Sequence, residues 1–493
     1  MKNIYLSICI CFVSFSLFGQ EKTKTFSLDD VIRIASESSI DAFRNKNMYR
    51  ASYWEYRYFK ADKLPSLTLE AIPFDFNRYR YKDYNFQTSE EEFVLKESLG
   101  SEANLSLNQN IALTGGRLFL STGLERIKNF SGNENTLFKS TPISIGYSQD
   151  INGYNAMKWR SKIEPLKYEK AKKQLIQSNE ALAWKAATRF FNLVEAQIEL
   201  RVAEQSLAIA DTLYKIGKGR FQVGTVTQNE LFSLELRMLN SKQALSRAKT
   251  QVQRYQSELN SFLSLDKSTV IDCAVPYKVP NIQISADVAI SNALTNNPEM
   301  INLQQRIIEA DELVNKRKSE AGFNTSLFAL YGLDQSSADF SDAYKDPDNS
   351  QRLRIGINIP IVDWGRRKGR YQMAKYNREV EMASIEQGKI DFEQGVYQDV
   401  IDFNLQAEQV KNAALADTVA QKGYEVALQR FLIGKVDVIN WNQSRIDMED
   451  ARKSHIRAIR EYWRYYYSLR MSTLYDFIEN RPLSAEYEIL LQK

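Results

Sequence analysis

The sequence predicts an α+β membrane protein that combines long coiled-coil helical hairpins with transmembrane β-strands. Three patterns support this fold class. A short motif between helices occurs twice, strands of alternating apolar and polar residues form two groups, and two helical stretches show the 3-and-4 spacing of a coiled coil. Each stretch is about 60 residues, which spans roughly 90 Å at the rise of an α-helix. That length exceeds the diameter of a compact globular domain.

The duplicated motif is Arg-Phe-x-(Val/Ile)-Gly-x-Val-(Thr/Asp), which begins at Arg220 and again at Arg430, 210 residues later. Its glycines, Gly224 and Gly434, can adopt the positive φ at which a helix ends. Each copy lies between two helical stretches. The motif therefore predicts two helical hairpins with matching tips.

The residues after each glycine predict the start of the next helix. Thr227 and Asp437 are candidate N-caps. Thr227 is followed three residues later by Glu230, which is the pattern of a capping box. A helix is also predicted over residues 28–63, with Ser27 as its N-cap.

The N-terminus predicts export from the cytoplasm. Residues 1–19 have a basic start, an apolar run and a small residue at the end, as in a secretory signal peptide. No later run reaches about 18 apolar residues, so no transmembrane helix is predicted. The mature chain would hold one cysteine, Cys273, which excludes an internal disulfide framework. The net charge of +4 gives no argument for nucleic acid.

Two regions alternate with the period of β-strands. The first carries four predicted strands between residues 67 and 147, with a tight turn at Thr114–Arg117 and polar loops, one of which contains Glu90. The second carries two, at 325–333 and 352–361. Strands of about 10 residues with short turns at one end and long loops at the other are typical of a transmembrane barrel. A soluble sandwich shows the same alternation, but the signal peptide favours the membrane.

Two offsets reveal an internal repeat that covers nearly all of the mature chain. Ala293 aligns with Ala35 at 258 residues and the tips align at 210, so the first half holds 48 additional residues. These equal one extra β-hairpin, around 93–130. The predicted division is a signal peptide at 1–19, a first repeat at 20–265 with its tip at 217–227, a linker at 266–285, a second repeat at 286–478 with its tip at 430–437, and a C-terminal tail at 479–493.

The order, duplication and spacing of these motifs resemble the TolC-type outer-membrane efflux family. The tips carry the likeness, together with the helix opening at 293–299 and the strand-to-helix junction at 359–367. The resemblance implies a homotrimer whose strands form one shared barrel in the outer membrane of a Gram-negative bacterium and whose helices form a periplasmic tunnel. It also implies a passive exit duct in a tripartite efflux or type I secretion system, with a periplasmic adaptor (membrane fusion protein) and an inner-membrane pump of RND or ABC type as partners.

Physical constraints agree with a trimer. Strand sets of four and two leave open edges, which lipid does not tolerate. Long helices with an apolar seam need neighbouring helices to cover it. The family implies four strands per protomer whereas the sequence predicts six, so three protomers would supply twelve strands or eighteen, depending on whether the extra hairpin joins the barrel.

The resemblance assigns roles to residues at both tips. The predicted adaptor-docking residues are Arg220, Phe221, Gly224, Thr225, Arg430, Phe431, Gly434 and Lys435, and the predicted periplasmic gate residues are Glu230, Val436, Asn440 and Gln443. The family's gate has a salt bridge at the positions of Glu230 and Val436, which this chain lacks unless the adjacent Lys435 substitutes. The family's acidic ring falls on Asn440 and Gln443, whose amides carry no charge. Glu230 could instead serve the capping box alone.

The sequence predicts no enzyme and no cofactor. His455 is the single histidine, and no Gly-x-Ser-x-Gly elbow, phosphate-binding loop or zinc-spaced Cys/His cluster accompanies it. Two alternatives to a duct are considered. A periplasmic adaptor or coiled-coil scaffold usually has one helical hairpin, and a secreted hydrolase needs a nucleophile constellation that is missing here.

Overall fold

The structure is a computed structural model that describes residues 24–85, 89–131, 134–359, 361–433, 435–436, 438–485 and 490–491. The predicted signal peptide, the tip glycine Gly434 and the predicted N-cap Asp437 lie outside the described residues.

The described residues form eight α-helices and ten strands. The helices are α1 (Leu28–Ser38), α2 (Ile40–Ala61), α3 (Ala156–Gln222), α4 (Gln228–Phe262), α5 (Ala286–Asn296), α6 (Pro298–Ala321), α7 (Arg366–Leu432) and α8 (Val438–Thr473). The strands are β1 (Lys24–Phe26), β2 (Ser66–Asn85), β3 (Glu90–Asn110), β4 (Arg117–Asn129), β5 (Asn135–Ile151), β6 (Ile271–Cys273), β7 (Asn324–Ser337), β8 (Asp348–Asn358), β9 (Tyr475–Asp476) and β10 (Arg481–Pro482). Within the described chain, every helix is too short or too polar to cross a membrane.

The chain forms two compact units. The first comprises the described parts of residues 1–46, 176–293 and 395–485, and the second those of 47–175, 294–394 and 486–493. Both units contain segments from both predicted repeats, and α3 and α7 contribute to both. The units and the repeats therefore divide the chain in different ways, and the division into repeats remains a prediction from sequence.

The first unit is organised around the aromatic half of α8. Tyr462 and Tyr466 are fully buried, and the ring of Phe403 lies 5.0 Å from that of Tyr462. The hydroxyl of Tyr462 donates to the carbonyl of Pro280 at 2.6 Å. β1 pairs in parallel with β6, a strand inside the stretch that the sequence predicts to be a linker.

Two helix boundaries differ from the sequence prediction. The predicted helix over 28–63 is two helices, because the buried Ser39 is extended and its hydroxyl accepts from the N–H of Ala42 at 3.1 Å. Ser39 thus caps α2 and ends α1, while Ser27 caps α1 as predicted. The last helix ends at Thr473 rather than near residue 478, since Leu474 has positive φ and β9 then pairs with β10.

The second unit contains one antiparallel sheet of six strands in the order β2-β3-β4-β5-β7-β8. The predicted extra hairpin, around residues 93–130, corresponds to β3 and β4, which lie inside this sheet between β2 and β5. β2 and β3 have 20 and 21 residues, about twice the predicted length. The predicted loop around Glu90 is strand, because polar pairs continue the ladder: Arg78 bonds Glu97 at 2.6 Å, and Lys82 pairs with Glu91.

The register of the sheet separates an apolar face from a polar face. One cross-strand row joins Leu67, Leu107, Leu120, Ile145 and Tyr331, all of them exposed. The adjacent row, which points to the other face, joins Thr68, Ser106, Ser121, Ser144, Gly332 and Ser350. Both β2 and β8 are edge strands, so each has one side without a strand partner in the described sheet.

Candidate functional site at the helix tips

The first tip ends α3 with a left-handed glycine. Gly224 has φ 77°, and the N–H of Thr225 donates to the carbonyl of Arg220 at 3.0 Å. This bond spans five residues, as in a Schellman motif, and it satisfies a carbonyl that the helix end would leave unpaired. The Thr225 hydroxyl donates to the same carbonyl at 3.0 Å. Arg220, Phe221 and Thr225 are exposed and available to a partner.

The second tip repeats the same closing bond. The N–H of Lys435 donates to the carbonyl of Arg430 at 2.9 Å, at positions 210 residues after those of the first tip. Arg430 and Lys435 are exposed. The two copies of the motif thus share one closing hydrogen bond.

The two tips differ in how their phenylalanines pack. Phe431 stacks on Trp441 with ring centroids 5.0 Å apart, and Trp441 is only 4% exposed. The residue aligned with Trp441 in the first repeat is Leu231, and Phe221 is exposed. Sequence reasoning missed Trp441, although an aromatic residue one helix away from Phe431 at the second tip was a visible signal.

Glu230 lies in the capping box that the sequence predicts. The N–H of Thr227 donates to the Glu230 carboxylate at 2.8 Å, and the N–H of Glu230 donates to the Thr227 hydroxyl at 3.3 Å. The backbone hydrogen bond from Thr227, followed by that from its hydroxyl, lowers the pKa of Glu230. The carboxylate is therefore ionised at neutral pH and committed to its own helix.

The other predicted gate residues do not form an ion pair with it. Val436 is half-buried, and Asn440 and Gln443 are exposed. In the part of the chain that the structure describes, no ion pair joins Lys435 to Glu230, so the substitute bridge does not form within one protomer. The amide of Gln443 donates to the Asp447 carboxylate at 2.8 Å. Asp447 is an exposed acid, one turn beyond the positions that the sequence argument considered.

The structure offers no metal centre at these tips or elsewhere in the described residues. No group of three or more His, Cys, Asp or Glu side chains there could hold a metal ion. His455 contacts Asp417, with 3.1 Å between Nδ1 and a carboxylate oxygen, and its ring lies 5.9 Å from that of Tyr277. The sequence places His455 on the last helix among basic residues and predicts a solvated side chain, but the structure buries it in the first unit.

Comparisons with known proteins identify the fold. Residues 289–472 match the family model described as "Outer membrane efflux protein". A comparison with curated protein sequences found no match. The fold is similar to that of the outer-membrane channel CmeC from Campylobacter jejuni, at 15% identity and a TM-score of 0.63 over 94% of this chain and 88% of that one.

Two further solved structures show the same likeness. A membrane protein from Pseudomonas aeruginosa is 13% identical with a TM-score of 0.64, over 93% of this chain and 92% of that one. The outer membrane protein VceC from Vibrio cholerae is 11% identical with a TM-score of 0.60, over 91% of this chain and 95% of that one. The resemblance drawn from the sequence is confirmed at the level of the fold: residues 289–472 match the outer membrane efflux protein model, and the chain has the fold of the TolC-type channels.

Proposed function

We propose that this protein is the outer-membrane exit duct of a tripartite efflux or type I secretion system. It acts as a homotrimer in the outer membrane of a Gram-negative bacterium. Its sheets face lipid as one shared barrel, and its helices conduct substrate from the periplasm or from an inner-membrane pump. Transport through it is passive, and the pump, of RND or ABC type, supplies the energy.

The observation that carries this proposal is an apolar stripe along α7. Large apolar side chains that stay exposed recur at coiled-coil spacing over nearly its whole length: Met373, Tyr376, Val380, Ile390, Tyr397, Ile401, Leu405, Leu415, Val419 and Val426. A single stripe of this extent on one helix is the seam that a neighbouring helix covers. The chain has no further long helix among its described residues to cover it, so a second copy is the natural occupant.

The sheet gives independent support. Its apolar face is exposed, and its other face carries small hydroxyl residues and charges such as Glu125, Lys139 and Arg352 among a few apolar side chains. That is the pattern of a barrel with lipid outside and water inside. The edges β2 and β8 would pair between copies, which leaves no open edge in lipid. With six strands in each copy, a closed trimer would contain eighteen.

The tips are proposed to dock a periplasmic adaptor. Arg220 and Arg430 are exposed at equivalent positions of the two tips, where the backbone carbonyl of each accepts the closing hydrogen bond. One adaptor surface could therefore bind both tips through the same contacts. Val223 and Ile433 add exposed apolar surface at both tips. A paired, partly apolar and cationic surface suits a helical partner with acidic and apolar residues.

Membrane fractionation tests the duct directly. The full chain should sediment with the outer membrane and run as a heat-modifiable trimer on mild denaturing gels. In planar bilayers the purified protein should open ion-conducting pores. A soluble periplasmic monomer, or a membrane protein that never conducts, would overturn the proposal.

A further inference from the structure

A cationic cavity lies where β8 gives way to α7, within the second unit. Its volume is about 380 Å³, and four guanidinium groups line it: those of Arg317, Arg366, Arg367 and Arg370. One carboxylate, that of Glu320, lines it as well. The amides of Asn324 and Asn358 complete a wall with many hydrogen-bond donors and a strong excess of positive charge.

Two of the four arginines have partners and two do not. Arg317 pairs with Glu320 at 2.6 Å, and Arg367 lies 3.8 Å from the carboxylate of Asp363. No described residue makes a hydrogen bond or ion pair with the side chain of Arg366 or Arg370. These two are one turn apart on the first turns of α7, where their charges repel each other and oppose the helix dipole. A bound anion would relieve both conflicts.

The internal repeat supplies a built-in comparison. Arg160 occupies the position 210 residues before Arg370, near the start of α3. Its guanidinium bonds the carboxylate of Asp62 at 2.5 Å and lies 5.4 Å from the ring centre of Phe59. The junction of the first repeat is thus neutralised by the chain itself, whereas the junction of the second repeat is left with free cations. An external anion would play at Arg370 the part that Asp62 plays at Arg160.

The surroundings of the cavity indicate which anion. The segment just before it exposes Ile361 and Trp364, which are 91% and 96% exposed, and the preceding strand exposes Leu353, Ile355 and Ile357. Along the chain the order is an apolar strand, an exposed tryptophan and then an arginine cluster. This is the order of hydrocarbon, interface and headgroup layers at a membrane boundary.

We propose that this cavity binds the phosphodiester headgroup of an anionic phospholipid, with Arg366 and Arg370 as the principal ligands. The proposal deepens the proposed function, since it requires the sheet to lie in a membrane and the helices to leave it on the periplasmic side. Arginine recognises phosphate oxygens through paired N–H donors, and basic pockets at membrane boundaries hold anionic headgroups. A second copy is a poorer source of negative charge, because the end of α2, beside the β2 edge, carries Lys60 and Lys63, and the acid between them, Asp62, is already bonded to Arg160.

Lipid retention by the full chain tests the proposal. The protein, purified in detergent, is mixed with phosphatidylglycerol, with phosphatidylcholine or with inorganic phosphate, and bound molecules are counted by native mass spectrometry. Three proteins are compared: wild type, Arg366→Gln/Arg370→Gln, and the control Lys158→Gln/Lys368→Gln. The control removes the same charge from two exposed lysines that do not line the cavity. Trimer content is measured in parallel by gel.

We expect wild type and control to retain phosphatidylglycerol at least about tenfold better than phosphatidylcholine, and the arginine variant to lose that preference. Equal retention by the arginine variant, or no headgroup preference in wild type, would overturn the proposal. Phosphate that binds as well as the lipid would identify a free-anion site instead.

If Arg366→Gln/Arg370→Gln loses trimers as well as lipid, Arg366→Lys/Arg370→Lys is tested next, because it keeps the charge. Restored trimers without lipid preference would then assign the cluster to the contact between copies. A protein that binds phosphatidylglycerol selectively but never forms trimers would refute the proposed duct and leave the proposed headgroup site supported.

Discussion

Helices α3 and α7 have the same length of 67 residues and occupy equivalent places in the predicted repeat, yet α7 leaves far more of its large apolar side chains exposed. α3 buries Phe190, Phe191 and Leu193 completely, whereas the exposed large apolar residues of the two helices fall mostly on α7. At the 210-residue offset, the fully buried Phe191 corresponds to the exposed Ile401. Most of the apolar surface of α3 is therefore buried within its own chain.

The same contrast holds for charge. Glu180 on α3 is buried and bonds Arg470 at 2.7 Å, while the aligned residue on α7 is the exposed Ile390. Of the two aligned helices, α3 has most of its apolar surface covered within the protomer, whereas α7 leaves one apolar stripe uncovered. The exposed stripe on α7 is therefore the surface that the proposed trimer would cover.

The largest effect is expected from a charge placed in the α7 stripe. Leu415 is 58% exposed in the protomer and would be buried between copies. Leu415→Glu should cost about 3–5 kcal/mol per copy, because the carboxylate would lose water without gaining a partner. Heat-modifiable trimers should be nearly absent and export should stop.

The matched control is Gln205→Glu. Gln205 is the exposed residue that aligns with Leu415 on α3. It should leave trimer content unchanged, since α3 has no stripe to cover. Equal trimer content in both variants would show that α7 faces solvent and would remove the main support for a trimer.

The sequence predicted the helices and strands better than it predicted which of them pack or pair with one another. Coiled-coil spacing in α3 and α7 is similar, and the α7 positions that show it, such as Val396, Val400 and Phe403, are buried within the chain. Periodicity alone gave no sign that α7 also carries a second apolar stripe that stays exposed. Strands β1 and β6 have three residues each and pair across more than 240 positions, too short for any periodic pattern. The first tip was predictable because its chemistry is local: a glycine, a capping residue and an acid three positions later fix the turn by themselves.

A second, smaller effect is expected inside the first unit, at the ion pairs that complete α3. Arg470→Met leaves the buried carboxylates of Glu180 and Asp476 without their shared cation, which should lower the free energy of unfolding by about 3–5 kcal/mol. The exposed pair of Arg254 and Glu258, 3.0 Å apart, serves as the comparison, and Arg254→Gln should change the free energy of unfolding far less, because water screens the pair. Thermal unfolding in detergent measures both.

The pH dependence of this variant has a defined sign. Burial raises the pKa of Asp476, but hydrogen bonds, first that from Tyr466, and the charge of Arg470 together lower it. A depressed folded pKa contributes stability above the unfolded value, and that stability is lost as the pH falls through the folded value. The difference in free energy of unfolding between wild type and Arg470→Met should therefore become smaller below about pH 4. A gap that widens on acidification would contradict the role of Asp476.

At the tips, Gly224→Val should impair export while trimers persist. Gly224 has φ 77° and open space around its missing side chain, so the cost of a β-branched residue is confined to the backbone, about 1–2 kcal/mol. A reshaped turn would weaken adaptor docking roughly tenfold. The control is Gly219→Val, also in open space but within α3. Unchanged export in Gly224→Val, measured as substrate resistance or secretion, would exclude this tip as the docking surface.

The smallest effect is expected at Glu230, where the capping box and the gate make different predictions. Glu230→Gln keeps a side chain that can cap the helix but removes the charge. Because the carboxylate is already bonded to Thr227 on its own helix, pore conductance and cation selectivity should change little. Thr227→Ala removes the cap and should cost about 1 kcal/mol of local helix stability, seen as faster amide exchange over the first turn of α4. A large rise in conductance in Glu230→Gln alone would mean that the charge reaches across to another copy, and that the first tip closes the entrance by an ion pair after all.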